Sequence, residues 1–143
     1  KLRQHCEKIG RQLAAQGLSN QSRVAIVMPN GPEMATAFLA VASYMSAAPL
    51  NPSYKESEYE FYLEDLKPAL FIVTENSENP VIGAAERLSI PVVEAKVIEG
   101  SPAGVFELFE SEENVSPSTV DMEALVLHTS GTTSRPQAVP LLQ

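Results

Sequence analysis

The sequence predicts an α/β fold: an open, layered, mostly parallel sheet whose strands are joined by crossover helices. Two observations carry this. Short apolar runs of strand length alternate with amphipathic stretches of helical period, and the junctions are punctuated by Pro, Asn and Gly. At 143 residues the chain is also long enough for one domain with a core, burying roughly two-thirds of its unfolded surface.

The first element is a helix. Leu2, Cys6, Ile9 and Leu13 recur at steps of four, three and four, which puts them on one face, and Gly17 stops it. Val24–Met28 is a continuous apolar run, read as a buried strand that ends in the turn Pro29-Asn30-Gly31-Pro32. Pro32 suits the first turn of a second helix, Glu33 to Met45, with Met34, Phe38, Val41 and Met45 on one stripe. Ala47–Leu50 follows as a strand of small residues before Asn51-Pro52.

A capping box at Ser53/Glu56 or at Ser57/Glu60 is expected to open a third helix, with Tyr59, Tyr62, Leu63 and Leu66 on one face and Lys67-Pro68 at its end. Ala69–Val73 is a third strand. Asn79-Pro80 is an N-cap and first-turn proline for a helix with Val81, Ala84, Ala85 and Leu88 as its stripe, and Pro91-Val92-Val93 is a fourth strand. From Ile98 to Glu123 the pattern gives way to Gly, Ser and Pro with seven acidic residues and no basic one, expected as a loop or linker on which Phe106, Leu108 and Phe109 dock as a patch. The expected organisation is residues 1–97 as an α/β core, 98–123 as an acidic loop, and 124–143 as a last strand and loop.

Charge and composition exclude several functions. Ten Lys and Arg against 18 Asp and Glu give a net charge of −8, which repels a phosphate backbone and anionic lipid, so no nucleic acid partner is expected. The 21 uncharged residues from Met34 to Tyr54 have the length of a membrane span, but Pro49, Asn51 and Pro52 break the end, and a buried helix and strand are expected instead. Cys6 is the only cysteine, which rules out an internal disulfide and suits packing and a reducing compartment, the cytoplasm or alternatively the peroxisome. The first residue is Lys1, and a truncated start is expected. His5 and His128 form no paired-ligand or catalytic spacing, so neither a metal site nor a catalytic residue is assigned; His128 is read as ending a strand. The tyrosines from Tyr59 to Tyr62 are read as helix packing rather than as a stacking platform.

The chemistry lies after the last strand, Ala124–Leu127. It runs into His128-Thr129-Ser130-Gly131-Thr132-Thr133-Ser134-Arg135-Pro136, in which hydroxyl residues flank a glycine. Such a segment offers backbone N–H and hydroxyl donors to phosphate oxygens, Gly131 permits close approach, and Arg135 adds a cation. Composition alone leaves this equal with an ordinary polar turn. Position favours phosphate, because ligands of open α/β sheets sit beyond the carboxyl ends of strands. The spacing is not that of a Walker loop.

Residues 127–141 resemble the phosphate-loop signature T-S-G-T-T-G-x-P-K-G-V of the adenylate-forming (AMP-binding) acyl-CoA synthetase superfamily, matching from Thr129 to Thr133 and at Pro136. With Ala48–Tyr54 and Glu58–Leu63, the Ser134-Arg135 variant is similar to the oxalate-CoA ligase branch, and Arg23–Asn30 is similar to the superfamily's first strand and turn. The resemblance implies that Thr129, Ser130, Gly131, Thr132 and Thr133 bind the phosphates of Mg-ATP. It implies further that a small carboxylate, oxalate first, attacks the α-phosphate to give an acyl-adenylate, from which CoA displaces AMP.

Two departures stand out. Gln137 replaces the usual lysine and so grips phosphate with a neutral donor, and Ala138 replaces a glycine, which strains the backbone if that glycine has positive φ. By the same resemblance the acyl pocket, adenine-binding motifs, magnesium-binding glutamate and C-terminal lysine lie beyond Gln143, so the chain alone is expected to be catalytically incomplete. A non-catalytic interaction module and a flavodoxin-like FMN-binding domain are the alternatives.

Overall fold

The first helix forms as α1 (Leu2–Ala14) and buries Cys6, Ile9 and Leu13, the residues spaced on one face. Leu2, on the same stripe, is 53% exposed because it sits at the fraying first turn. Gly17, at φ +79°, turns the chain out of the helix. The computed structural model describes residues 1–108, 123–128 and 138–142; Phe109, Thr129–Thr133 and Gln137 lie outside them.

The predicted alternation follows as β1 (Arg23–Val27), α2 (Pro32–Ala42), β2 (Ser46–Pro49), α3 (Glu56–Leu66), β3 (Leu70–Thr74), α4 (Val81–Arg87) and β4 (Val92–Val97). Pro32 takes the first turn of α2 as expected. The cap of α3 differs from the sequence expectation: the helix starts after Lys55, whose N–H is accepted by the Glu58 carboxylate at 2.8 Å. Ser57 is already inside the helix, and Ser53 donates its N–H to Asn51 Oδ1 in the preceding turn. Lys67 closes α3 in the left-handed conformation, φ 47°, with its N–H on the Leu63 carbonyl.

Three strands complete a seven-stranded sheet, β5 (Phe106–Glu107), β6 (Glu123–His128) and β7 (Ala138–Leu142), in the order β5-β4-β3-β1-β2-β6-β7. β4, β3, β1, β2 and β6 are parallel, and the two edges, β5 and β7, are antiparallel. β5 lies inside the stretch expected as a loop. The predicted docking of Phe106 and Leu108 does occur, since both are buried.

Period-two alternation divides the core between the faces. Val24, Ile26, Leu70 and Ile72 pack under α1 and α2 with Phe106 and Leu108. Ala25, Val27, Phe71 and Val73 pack under α3 and α4 with Tyr59, Leu63 and Val126. The small residues Ala47 and Ala48 of β2 serve opposite faces, which lets helices approach on both sides. The layers are therefore helix, sheet, helix. Among the described residues no helix is long and apolar enough to cross a membrane.

Candidate functional site

All five parallel strands end at one edge of the sheet, and each candidate feature leaves from that edge. β6 carries the chain to His128 and β7 receives it at Ala138, the two residues facing each other in the antiparallel ladder. That pairing anchors both ends of the segment holding Thr129, Ser130, Gly131, Thr132 and Thr133, which themselves lie outside the described residues. Ala138 opens a strand, a position where alanine needs no left-handed backbone.

The neighbouring strand β2 leaves the same edge through a turn built from side-chain hydrogen bonds. Tyr59, fully buried on α3, donates its hydroxyl to the Asn51 carbonyl at 2.7 Å. Asn79 acts twice: Nδ2 donates to the Pro52 carbonyl at 2.8 Å, while Oδ1 accepts the Val81 N–H at 2.9 Å at the start of α4, whose cap position is Pro80, one residue later than expected. The Ala47–Leu125 pairing, carried to the ends of β2 and β6, sets Leu50 level with His128, so this turn flanks the start of the predicted phosphate segment. The sequence shows these anchors only as two Asn-Pro pairs, Asn51-Pro52 and Asn79-Pro80.

Around the turn the tyrosines pack, as expected, on the helix. Tyr54 stacks on Tyr62 with ring centroids 4.9 Å apart and meets Tyr59 edge-on at 5.7 Å. Burial, and after it the hydrogen bond with Tyr62, pushes the Tyr54 phenol up to about 12, so it stays protonated at neutral pH. Tyr59→Phe is expected to cost about 0.5–1.5 kcal/mol, the net value of one hydrogen bond, because the Asn51 carbonyl keeps the longer Tyr54 N–H contact. A urea midpoint indistinguishable from that of the native chain would show that the hydroxyl does not hold the turn.

A separate crevice opens where the connections diverge, between the β1 exit, which leads to β2, and the β3 exit, which leads to β4. It measures about 330 Å³ and is lined by residues that include Met28, Asn30, Glu33, Thr74, Glu75 and Val97. The strand order β2-β1-β3-β4 is the one a flavodoxin-like sheet would have, and this is where its FMN would sit. Among the described residues the lining carries the Glu33 and Glu75 carboxylates and no Lys or Arg, a charge pattern that opposes a flavin phosphate. Glu33 is engaged by the Gly104 N–H at 3.0 Å.

The single cysteine is a packing residue. Cys6 is buried against Tyr44 and its neighbours, and burial raises its thiol, which disfavours the nucleophilic thiolate. Among the described residues no group of three or more His, Cys, Asp and Glu could hold a metal ion.

The AMP-binding enzyme family matches residues 1–143. The chain belongs to that family. It is 38% identical over 133 residues to an oxalate–CoA ligase of Arabidopsis thaliana, covering 89% of this chain and 26% of the relative. It is 34% identical over 149 residues to an oxalate–CoA ligase of Saccharomyces cerevisiae, covering 85% of this chain and 27% of the relative. The chain thus spans about a quarter of the length of these curated relatives. Its fold is that of o-succinylbenzoate coenzyme A synthetase from Bacillus subtilis in complex with AMP, with a TM-score of 0.76 at 22% identity over 99% of this chain and 35% of that one. Apo MatB from Rhodopseudomonas palustris gives a TM-score of 0.76 at 21% identity, covering 99% of this chain and 28% of that one.

Proposed function

We propose that this chain is the N-terminal part of an ATP-dependent acid–CoA ligase acting on a small carboxylate, oxalate first, and that Thr129, Ser130, Gly131, Thr132 and Thr133 hold the phosphates of its Mg-ATP. The observation that carries this is the family match over the whole chain, joined to a hydroxyl-rich glycine segment leaving the carboxyl end of a parallel strand. Oxalate as the acid is favoured by the two oxalate–CoA ligase relatives.

The reaction needs a carboxylate oxygen made part of a good leaving group. Attack on the α-phosphate does this, releasing pyrophosphate, and the thiol of CoA then displaces AMP. This chain's share is to position the triphosphate and to offset its charge with N–H and hydroxyl donors. Gln137 contributes a neutral donor where the superfamily signature has lysine, so the grip is weaker than a charged one. Magnesium enters as the metal of the nucleotide. Residues for acyl recognition and for adenine are expected in a longer chain, and we propose the cytoplasm as its compartment, with the peroxisome as the alternative.

Calorimetric titration of Mg-ATP into this chain tests the assignment, with Ser130→Ala/Thr132→Ala as the control and circular dichroism to verify folding. Weak binding that disappears in the control is the expected result. A folded native chain that gives no heat would remove nucleotide binding from residues 129–133 and favour a non-catalytic interaction module.

A further inference from the structure

One face of α1 grips the segment that carries β5. His5 Nε2 accepts the Phe106 N–H at 3.3 Å, and Gln12 Oε1 accepts the Leu108 N–H at 3.3 Å. Lys8, between them, pairs with Glu107. Three and then four residues separate the helix members, so all three lie along one stripe. Beneath them Phe106 is fully buried, and its ring meets the His5 imidazole edge-on, centroids 5.4 Å apart at 87°. A backbone N–H can only donate, so the imidazole nitrogen facing Phe106 has to be unprotonated for this bond to exist.

We infer that α1 and residues 104–108 form a proton-sensitive clasp: protonating His5 removes the acceptor of the Phe106 N–H and loosens the segment from the helix. The same segment donates the Gly104 N–H to Glu33 on the rim of the β1–β3 crevice, so loosening it also frees that carboxylate.

Among the described residues the charged groups facing His5 are Lys8 on its own helix and Glu107 on β5. Burial first, and Lys8 second, push the imidazole below its usual value, while Glu107 pulls it upward. Glu107 is committed to Lys8, so its pull is largely cancelled. The sign follows from this balance. The clasped value lies below the free value of about 6.5, so the clasp is at full strength above that pH and weakens as pH falls from there through the clasped value.

The test is amide exchange at Phe106, read by NMR on the 143-residue chain from about pH 7.5 to about pH 5 beside the His5 imidazole titration. After correction for intrinsic chemistry, acidification is expected to raise Phe106 exchange by up to about tenfold for each unit between the free and clasped values. His5→Gln keeps an acceptor that does not titrate and is expected to abolish this dependence. Lys8→Met leaves Glu107 uncancelled and is expected to move the transition to higher pH. The clasp is overturned if His5 titrates without any change at Phe106, or if His5→Gln shows the native pH dependence. Should His5→Gln fail to fold, an unmoved transition in Lys8→Met overturns it equally.

Discussion

Phe106→Ala is expected to lower the stability of the chain by about 3–5 kcal/mol, the cost of deleting a fully enclosed aromatic side chain. Phe106 has no exposed surface and shares its cluster with Ile9, Leu13, Ile72 and Ala95, which come from α1, β3 and β4. Its removal therefore empties a space bounded by three elements that are each held by other contacts, and such a space collapses poorly. The backbone link to His5 survives the substitution, since it uses the Phe106 N–H. Urea denaturation at neutral pH measures the effect as a lower midpoint at unchanged slope. A loss below about 1 kcal/mol would mean that residues 104–108 behave as a detachable loop whose aromatic ring adds little to the core.

The same segment marks where the sequence stops being informative. Helices and parallel strands were legible because their periods are long enough to register: α1 shows three turns of one stripe, and β1 and β3 are continuous apolar runs. β5 has two residues and therefore no period, and it exists because Glu107 and Phe106 fold back antiparallel onto Lys96 and Val97 of the preceding strand. β7 was hidden for a different reason. Pro140 cannot donate to a ladder, which argues against a central strand, and β7 lies at the sheet edge where that donor is dispensable.

The helix caps show a third limit. Two serines followed at three residues by glutamate gave α3 two plausible starts, and the chain uses the Glu58 carboxylate with Lys55 between them. Leu88 fits the α4 stripe but lies just past its end and is 38% exposed. At the candidate site, the residue types from Thr129 to Thr133 carried the chemistry in the sequence, while the neighbouring turn did not. Tyr59 on α3 and Asn79 just ahead of α4 reach Asn51 and Pro52, and nothing local to Asn51 announces either partner.

Gly104→Ala is expected to destabilise the chain by about 2–6 kcal/mol through two separable effects, a backbone term of about 1–3 and a packing term of about 1–3. Gly104 has φ +85°, a conformation that a side chain disfavours. A Cβ built there would stand 2.7 Å from Thr36 Oγ1 and 3.1 Å from the Pro32 carbonyl oxygen. Thr36 could turn its hydroxyl away, but the Pro32 carbonyl belongs to the first turn of α2 and is fixed by the helix. Moving residue 104 outward instead would lengthen the 3.0 Å bond from its N–H to Glu33 and draw Phe106 from the core. Gly100 separates the two effects. It has φ +78° and nothing within 4 Å of its Cβ position, so Gly100→Ala carries the backbone term alone. Urea midpoints of both variants, compared with the native chain, give the packing term as their difference. Equal losses would show that the close approach of residue 104 to α2 does not exist in solution, whereas the larger loss at Gly104 would place the end of that helix directly beneath the segment.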